Sequence, residues 1–142
     1  MKSIVGVVLA VCLLGVSSIS CTENTSEKVL QGKQHYSKKE YSQAVACFRE
    51  AAEKGDAEAQ LNLGVCYSDG HGVTQDHFEA VKWFRKSADQ GNAEGQVRLG
   101  LCYYGGFGVA VNKKMARDWW RKAEAQGGDE SFIATELLNN FY

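Results

Sequence analysis

The residue types that most often carry chemistry in proteins show no arrangement typical of an active site in this chain. Its three histidines, His35, His71 and His77, lack a cysteine or carboxylate at the spacing that a zinc site requires, so we interpret them as surface residues. No serine, histidine and aspartate set indicates a nucleophilic triad. We expect Glu58 and Glu94 to lie too far apart for a glycosidase pair. The sequence therefore predicts no catalytic residues, no metal and no cofactor.

Two glycine-rich segments, Gly70-His71-Gly72 and Gly106-Phe107-Gly108, invite comparison with phosphate-binding loops. A phosphate cradle follows a strand and ends in lysine and serine, whereas both flanks here have helical patterns. We interpret the glycines as supplying positive φ in two tight connectors.

The cysteines require a separate interpretation, because in an oxidising compartment they could form disulfides. Cys66 and Cys102 occupy the same place in successive repeats, so a helix-packing distance of about 8 to 10 Å separates them, beyond the limit of about 7 Å between Cα atoms for a disulfide. We predict buried thiols. A Cys47 to Cys66 bridge between neighbouring helix pairs stays open as an alternative.

The first twenty residues have the pattern of a signal peptide. The apolar run at residues 4–16 follows Lys2 and is too short to cross a bilayer, which takes about 20 residues. Ser18 and Ser20 place small side chains three and one positions before Cys21, as signal peptidases require. Cleavage before Cys21 and export are predicted.

The residues around Cys21 also resemble the lipobox of bacterial lipoproteins, although Ser18 stands where leucine is usual. Two outcomes stay open: a diacylglycerol on Cys21 that attaches the protein to a membrane, or a soluble exported chain. The resemblance implies the periplasm or the outer membrane of a bacterial cell envelope, and a secreted eukaryotic protein is the further alternative. Residues 21–27 are polar and are predicted to be a tether.

Composition narrows the class of protein. A chain of 142 residues with 44% hydrophobic and 23% charged residues is typical of one folded domain. The net charge of -1 argues against nonspecific binding to nucleic acid and to acidic lipid surfaces. Fifteen glycines without any proline favour helices that end at glycine and are joined by short turns.

A repeat of 36 residues organises the chain. Residues 57–92 and 93–128 align without a gap and share sixteen identical positions. Apolar residues recur at helical spacing, which predicts two helices of about a dozen residues in each copy. Asp76 is predicted to cap the second helix and to form a capping box with Glu79, and Asn112 is the matching cap.

The repeated motif runs Ala57 to Tyr67, then Gly70, Gly72, Asp76 and the run Trp83-Phe84-Arg85-Lys86. It resembles the Sel1-like repeat family, relatives of the tetratricopeptide repeats. The resemblance covers seventy-two residues directly, and residues 28–56 resemble a divergent first hairpin. It implies an all-α fold, an α-solenoid (alpha-alpha superhelix) of stacked helix hairpins.

The C-terminal segment 129–142 is predicted to be a helix that caps the last hairpin. The following apolar residues are expected to line one face of it: Phe132, Ile133, Leu137, Leu138 and Phe141.

The resemblance further implies that the first helix of each repeat lines a concave groove that binds a protein or peptide, in a chain that acts as a monomeric adaptor. Carried over by register, the groove residues are Leu61, Asn62, Val65, Val97, Arg98, Leu101 and Tyr104, beside Glu58, Ser68, Asp69, Glu94 and Gly105.

An alternative is a small periplasmic enzyme or β-lactam-binding protein, as implied by cysteine-rich members of the family. Those members carry two cysteines eight residues apart in each repeat. This chain has Glu58 and Thr74 where partners of Cys66 would stand, so that activity is not carried over.

Overall fold

Helix follows helix along the part of the chain that the structure, a computed structural model, describes, which is residues 25–141. The bounds are α1 (25–37), α2 (Tyr41–Glu53), α3 (Ala57–Asp69), α4 (His77–Asp89), α5 (Ala93–Gly105), α6 (Lys113–Glu124) and α7 (Asp129–Asn140). The signal peptide, Cys21 and most of the predicted tether lie outside these residues. Residues 25–27, predicted as the end of the tether, belong to α1.

Successive helices pack against one another and bury one apolar cluster at each junction between hairpins. The first cluster joins Val29 and Phe48 to Leu63, the second joins Leu61 and Phe84 to Leu99, and the third extends to α7. The all-α solenoid is therefore confirmed. None of the helices between residues 25 and 141 combines the length and the apolar character needed to cross a membrane.

Glycines in the middle of the first helices let the second helices approach closely. A Cβ atom on Gly64 would lie 2.7 Å from the Phe84 ring, and one on Gly100 would overlap the Trp120 indole. Phe84 and Trp120 are 2% and 0% exposed, so each ring fills the space that the missing side chain leaves. The pairing recurs at the same place in both repeats and sets the spacing within each hairpin.

Asp76 caps α4 as predicted, because its carboxylate accepts hydrogen bonds from the backbone N–H groups of Phe78 and Glu79. The other half of the predicted capping box is wrong. The backbone N–H of Asp76 donates to the carbonyl oxygen of Tyr67 at 2.9 Å, and the Glu79 carboxylate pairs with Lys82 instead. The connector folds back onto α3, so the carbonyl oxygen of Tyr67 in α3 accepts the hydrogen bond that Glu79 was expected to accept. Asn112 is confirmed as the cap of α6.

Two buried glutamines tie neighbouring hairpins together at the 36-residue period. Gln60 donates to the carbonyl oxygen of Ala52 at 3.2 Å and accepts from Gln90 at 2.7 Å. The same pair of bonds recurs one repeat later around Gln96. Because both glutamines are 5% exposed and fully bonded, they stabilise the stacking and fix its register.

The expectation that five apolar residues line one face of α7 is wrong for Phe132 and Ile133, whereas Leu137, Leu138 and Phe141 pack against the last hairpin. Ala134 and Leu138 are buried, whereas Phe132 is 67% and Ile133 is 47% exposed. Side chains two residues apart on a helix differ in direction by about 200°, so Phe132 points away from the face that carries Ala134. The C-terminal end of the stack therefore leaves an apolar side open.

Candidate binding groove

The surface of the first helices carries three adjoining cavities. The connector cavity, about 320 Å³, lies between the ends of α3 and α5 and the loop before α6. Its lining residues are Ser68, Asp69, Gln75, His77, Phe84, Arg98, Leu101, Cys102 and Phe107. Its floor is apolar, because Phe84 and Cys102 are buried, and its rim is polar.

The other two cavities lie further along the same surface. The central cavity, about 390 Å³, is lined by Glu94, Val97, Arg98, Leu101, Glu130 and Ile133. The turn cavity, about 330 Å³, is lined by Glu58, Leu61, Asn92, Ala93, Glu94 and Glu130. Arg98 and Leu101 belong to both the connector and the central cavity, and Glu94 and Glu130 to both the central and the turn cavity. The three form one continuous groove that crosses α5.

Arg98 and Leu101, two of the predicted groove residues, line both the connector cavity and the central cavity. The Arg98 side chain is 44% exposed and bonds the Glu94 carboxylate at 3.1 Å, one turn earlier on the same helix. Leu101 is 36% exposed although it is a large apolar residue. Together they offer one charged and one apolar contact beside each other.

Leu61 and Val97 differ from the expectation of exposed contact residues, since only 6% and 5% of their surfaces are exposed. Each lies in the cluster between its own repeat and the next, which covers it. They form part of the groove floor. Asn62 and Val65 are half-buried, and the Asn62 side chain donates to the carbonyl oxygen of Glu58 in its own helix.

Tyr104, like Asn62 and Val65, is a predicted groove residue that does not line any of the three cavities. Its ring packs 4.6 Å from Phe141 and 5.8 Å from Trp120, and the Lys113 ammonium lies 5.4 Å from its centroid. The end of α7 covers it, so Tyr104 supports the C-terminal core rather than the centre of the groove.

The sequence analysis did not predict that residues of α1 and α7 extend the groove surface. Gly32 packs on Phe48 as Gly64 packs on Phe84, and this register puts Leu30 level with Asn62 and Arg98. Leu30 is 57% exposed. Nearby, the Lys33 ammonium pairs with the Glu58 carboxylate from α3. The repeated glycine could have revealed this register from the sequence, but Gly32 precedes Gly64 by 32 residues, whereas Gly64 precedes Gly100 by 36.

In α7 the 36-residue period simply continues. Glu130 follows Glu58 and Glu94, and Ile133 follows Leu61 and Val97. Because the structure shows no further helix packed beyond α7 up to residue 141, Ile133 is exposed where its two counterparts are buried. The groove consequently has carboxylates along one side and apolar side chains along its centre.

The thiols of the groove region are poor candidates for nucleophiles. Cys47, Cys66 and Cys102 are all free, so the alternative of a Cys47 to Cys66 bridge is wrong. Burial raises the pKa of Cys66 and of Cys102 to about 11, which keeps both protonated at neutral pH. Within residues 25–141, no group of three histidine, cysteine or acidic side chains is placed to hold a metal ion.

The histidines are less exposed than the sequence analysis expected. The Nδ1 atom of His35 lies 2.6 Å from a Glu40 carboxylate oxygen, and Nδ1 of His71 lies 2.8 Å from the Tyr36 hydroxyl. His77 packs 5.7 Å from the Phe107 ring at the edge of the connector cavity. Each is half-buried and takes part in a loop contact, because the connectors fold back onto the preceding hairpin.

Comparison with known proteins matches this architecture. A family model described as Sel1 repeat matches residues 29–56, 57–92 and 93–128. A sequence search of curated proteins finds no relative.

Solved structures of bacterial proteins share the fold. One is a protective antigen of uropathogenic Escherichia coli, displaying an SLR fold, with 41% identity over 77% of this chain and a TM-score of 0.70; the chain spans about a quarter (24%) of its length. A Sel1 repeat protein from Oxalobacter formigenes has 29% identity over 90% of this chain and 97% of its own, with a TM-score of 0.74. Helicobacter pylori cysteine rich protein B has 26% identity, 63% and 68% coverage and a TM-score of 0.59.

Proposed function

The chain belongs to the Sel1 repeat family, and from that premise we propose that it is an exported adaptor whose groove holds an extended segment of a partner protein. Proteins of this family are helical repeat scaffolds for protein interactions. For this chain in particular, we propose that it is exported, that it binds its partner in the groove and that it does not catalyse a reaction.

The observation that carries the proposal is the continuity of the three cavities across α5. Glu94 and Leu101 stand seven residues apart on that helix, which is about 10 Å along its axis. An extended peptide covers this distance with about three residues. One short segment can therefore reach the carboxylates and the apolar centre of the groove at the same time.

The chemistry of the lining suggests what such a segment carries. An apolar side chain fits over Leu101 and Ile133, which are both exposed. A basic side chain about three residues away reaches Glu94 and Glu130. Because the helices are already folded and tied by the buried glutamines, binding costs little ordering of the receptor.

We place the protein in the periplasm or at the outer membrane, held there by a lipid if Cys21 is acylated, and we propose that it acts as a monomer that binds neither nucleic acid nor a cofactor. The cysteine-rich alternative, a β-lactam-binding protein or small enzyme, loses support because Cys66 and Cys102 are free, and because Glu58 and Thr74 occupy the positions eight residues from Cys66.

The test is crosslinked capture from the native cell envelope with Arg98→Glu and Leu101→Asp. Lys82→Glu is a matched control, since Lys82 is an exposed basic residue paired within its own helix, as Arg98 is, but lies on α4 outside the groove. We expect captured protein to fall by about tenfold or more for both groove variants and to stay unchanged for the control. Equal capture by all four proteins would rule out the groove.

A further inference from the structure

The two ends of the stacked hairpins differ in charge. The connector edge, where each first helix turns into its second helix, comprises residues 37–42, 69–78 and 105–114. The turn edge, where each second helix turns into the next first helix, comprises residues 53–58, 89–94 and 124–130. The turn edge holds eight carboxylates against one lysine, whereas the connector edge holds four lysines against three carboxylates. The net charge of -1 conceals this separation.

Three large exposed apolar side chains lie around the connector of the second repeat: Phe107 and Val111 within the connector, and Phe78 at the start of α4 in the first repeat. Phe78 is 70% exposed, Val111 is 60% exposed and Phe107 is 52% exposed. The connector packs against the start of α4, because Gly108 lies against the backbone of His77 and Phe78, and Gly106 lies beside the Val111 side chain. We call these three residues the apolar patch.

The fold does not require this patch, as the first repeat shows. One repeat earlier, where the connector after α3 packs on α2, the same places hold Ser42, His71 and Gln75. There the His71 ring stacks on Tyr41 at 4.3 Å and bonds the Tyr36 hydroxyl. The second repeat keeps the backbone and exposes apolar groups instead, which points to a partner.

Two lysines beside the patch oppose local helix stability. Lys113 and Lys114 are exposed in the first turn of α6, which has no acidic residue, while α4 has Glu79 and α5 has Glu94 there. A helix N-terminus favours negative charge, so these lysines weaken α6. Residues that break a local rule in this way are expected where they serve binding. Their charge selects an anionic partner.

We propose that the connector edge docks on the surface of an anionic lipid bilayer. The apolar patch enters the headgroup region, the lysines at positions 38, 39, 113 and 114 contact lipid phosphates, and the acidic turn edge faces away. The exposed lysines stand in both the first and the last connector, so an extended anionic surface suits them better than one small ligand. A second copy is a poor occupant, because two such edges would bring their lysines together.

The test is sedimentation of the purified full chain with vesicles of phosphatidylcholine alone or mixed with phosphatidylglycerol. The variant Phe78→Ser, Phe107→His, Val111→Gln carries the residues that the first repeat has at the same places, so it is expected to fold, which circular dichroism checks. Lys113→Glu with Lys114→Glu is a second variant that leaves the patch intact. Phe132→Ser is the matched control for loss of an exposed aromatic ring.

We expect binding to anionic vesicles that weakens with salt, and a fall of about tenfold or more in both edge variants. Phe132→Ser and the groove variant Arg98→Glu should bind like wild type, which separates this proposal from the groove. Equal binding to neutral vesicles, or no binding, would overturn it. A change from dimer to monomer in the patch variant without vesicles would instead assign the patch to a second copy.

Discussion

The first and second repeats rest on the preceding hairpin through joints with the same backbone and different side chains. In the first joint the His71 ring stacks on Tyr41 at an interplanar angle of 8°, and Tyr36 closes over it. In the second joint Phe107 tilts over His77 at 48° and stays half exposed. One joint is sealed by polar and aromatic contacts, whereas the other leaves an open apolar surface. Stacking therefore depends on the shared backbone contact and leaves the loop side chains free for function.

The largest expected effect tests the shared backbone. Gly72 has φ +74 and Gly108 has φ +67, and a Cβ atom on either would overlap the backbone carbonyl of Tyr41 or His77. We expect Gly72→Ala and Gly108→Ala each to lower the free energy of unfolding by about 3 kcal/mol or more, since strained φ and a backbone clash combine. Urea denaturation measures this. Gly91→Ala, with φ +89 and open space, is the control and should cost about 1 kcal/mol. A much smaller loss at either joint would show that the joints are not equivalent.

A smaller effect should separate the joints. Tyr36→Phe removes the hydroxyl that lies 2.8 Å from Nδ1 of His71, so we expect a loss of about 1 kcal/mol in the free energy of unfolding. Phe107→His alters a half-exposed side chain and should change it by no more than about 0.5 kcal/mol. The same denaturation experiment measures both. If Phe107→His were as costly as Tyr36→Phe, the second joint would depend on its side chains as the first does.

The smallest difference is expected between the two buried thiols. Cys66 lies in the cluster at the first joint and Cys102 in the one at the second, and burial raises the pKa of both to about 11. Alkylation at pH 8 should modify the half-buried Cys47 first and the other two at rates within about twofold of each other, because both need the fold to open. Mass spectrometry of the peptides measures this. Much faster modification of Cys102 would show that the second joint opens by itself.

These raised pKa values also set the direction of a pH effect. The folded chain holds the thiol protons more tightly than the unfolded chain, whose thiols titrate near the ordinary value of 9.0. Their contribution to stability is complete below about pH 9 and is lost as the pH rises toward 11.

Much of the fold was predictable, because it depends on spacing. The 36-residue period, the cap at Asp76 and the packing of small residues against aromatic rings follow from helical geometry alone. The same register predicted Arg98 and Leu101 as groove residues, and both line cavities on the surface of the first helices. Burial of Leu61 and exposure of Ile133 were not predictable from that register, since the same position is covered or open according to whether another repeat follows.

The capping box shows a different limit. Asp76 and Glu79 have the right spacing, but the backbone N–H of Asp76 donates instead to the carbonyl oxygen of Tyr67, nine residues earlier in the sequence. Local patterns describe contacts within one turn of helix. They do not describe a connector that folds back on its own first helix.

The amino-acid sequence by itself determined the helices, their order and their stacking, because periodic apolar residues leave no other way to bury their surface. Only the tertiary structure decided which residues are accessible and how charge is distributed. The net charge of -1 argued against acidic lipid surfaces, yet antiparallel hairpins collect the carboxylates at one edge and leave lysines and apolar groups at the other. The net charge is a sum over the whole sequence, whereas the attraction at a surface depends on which charges the fold brings to that surface.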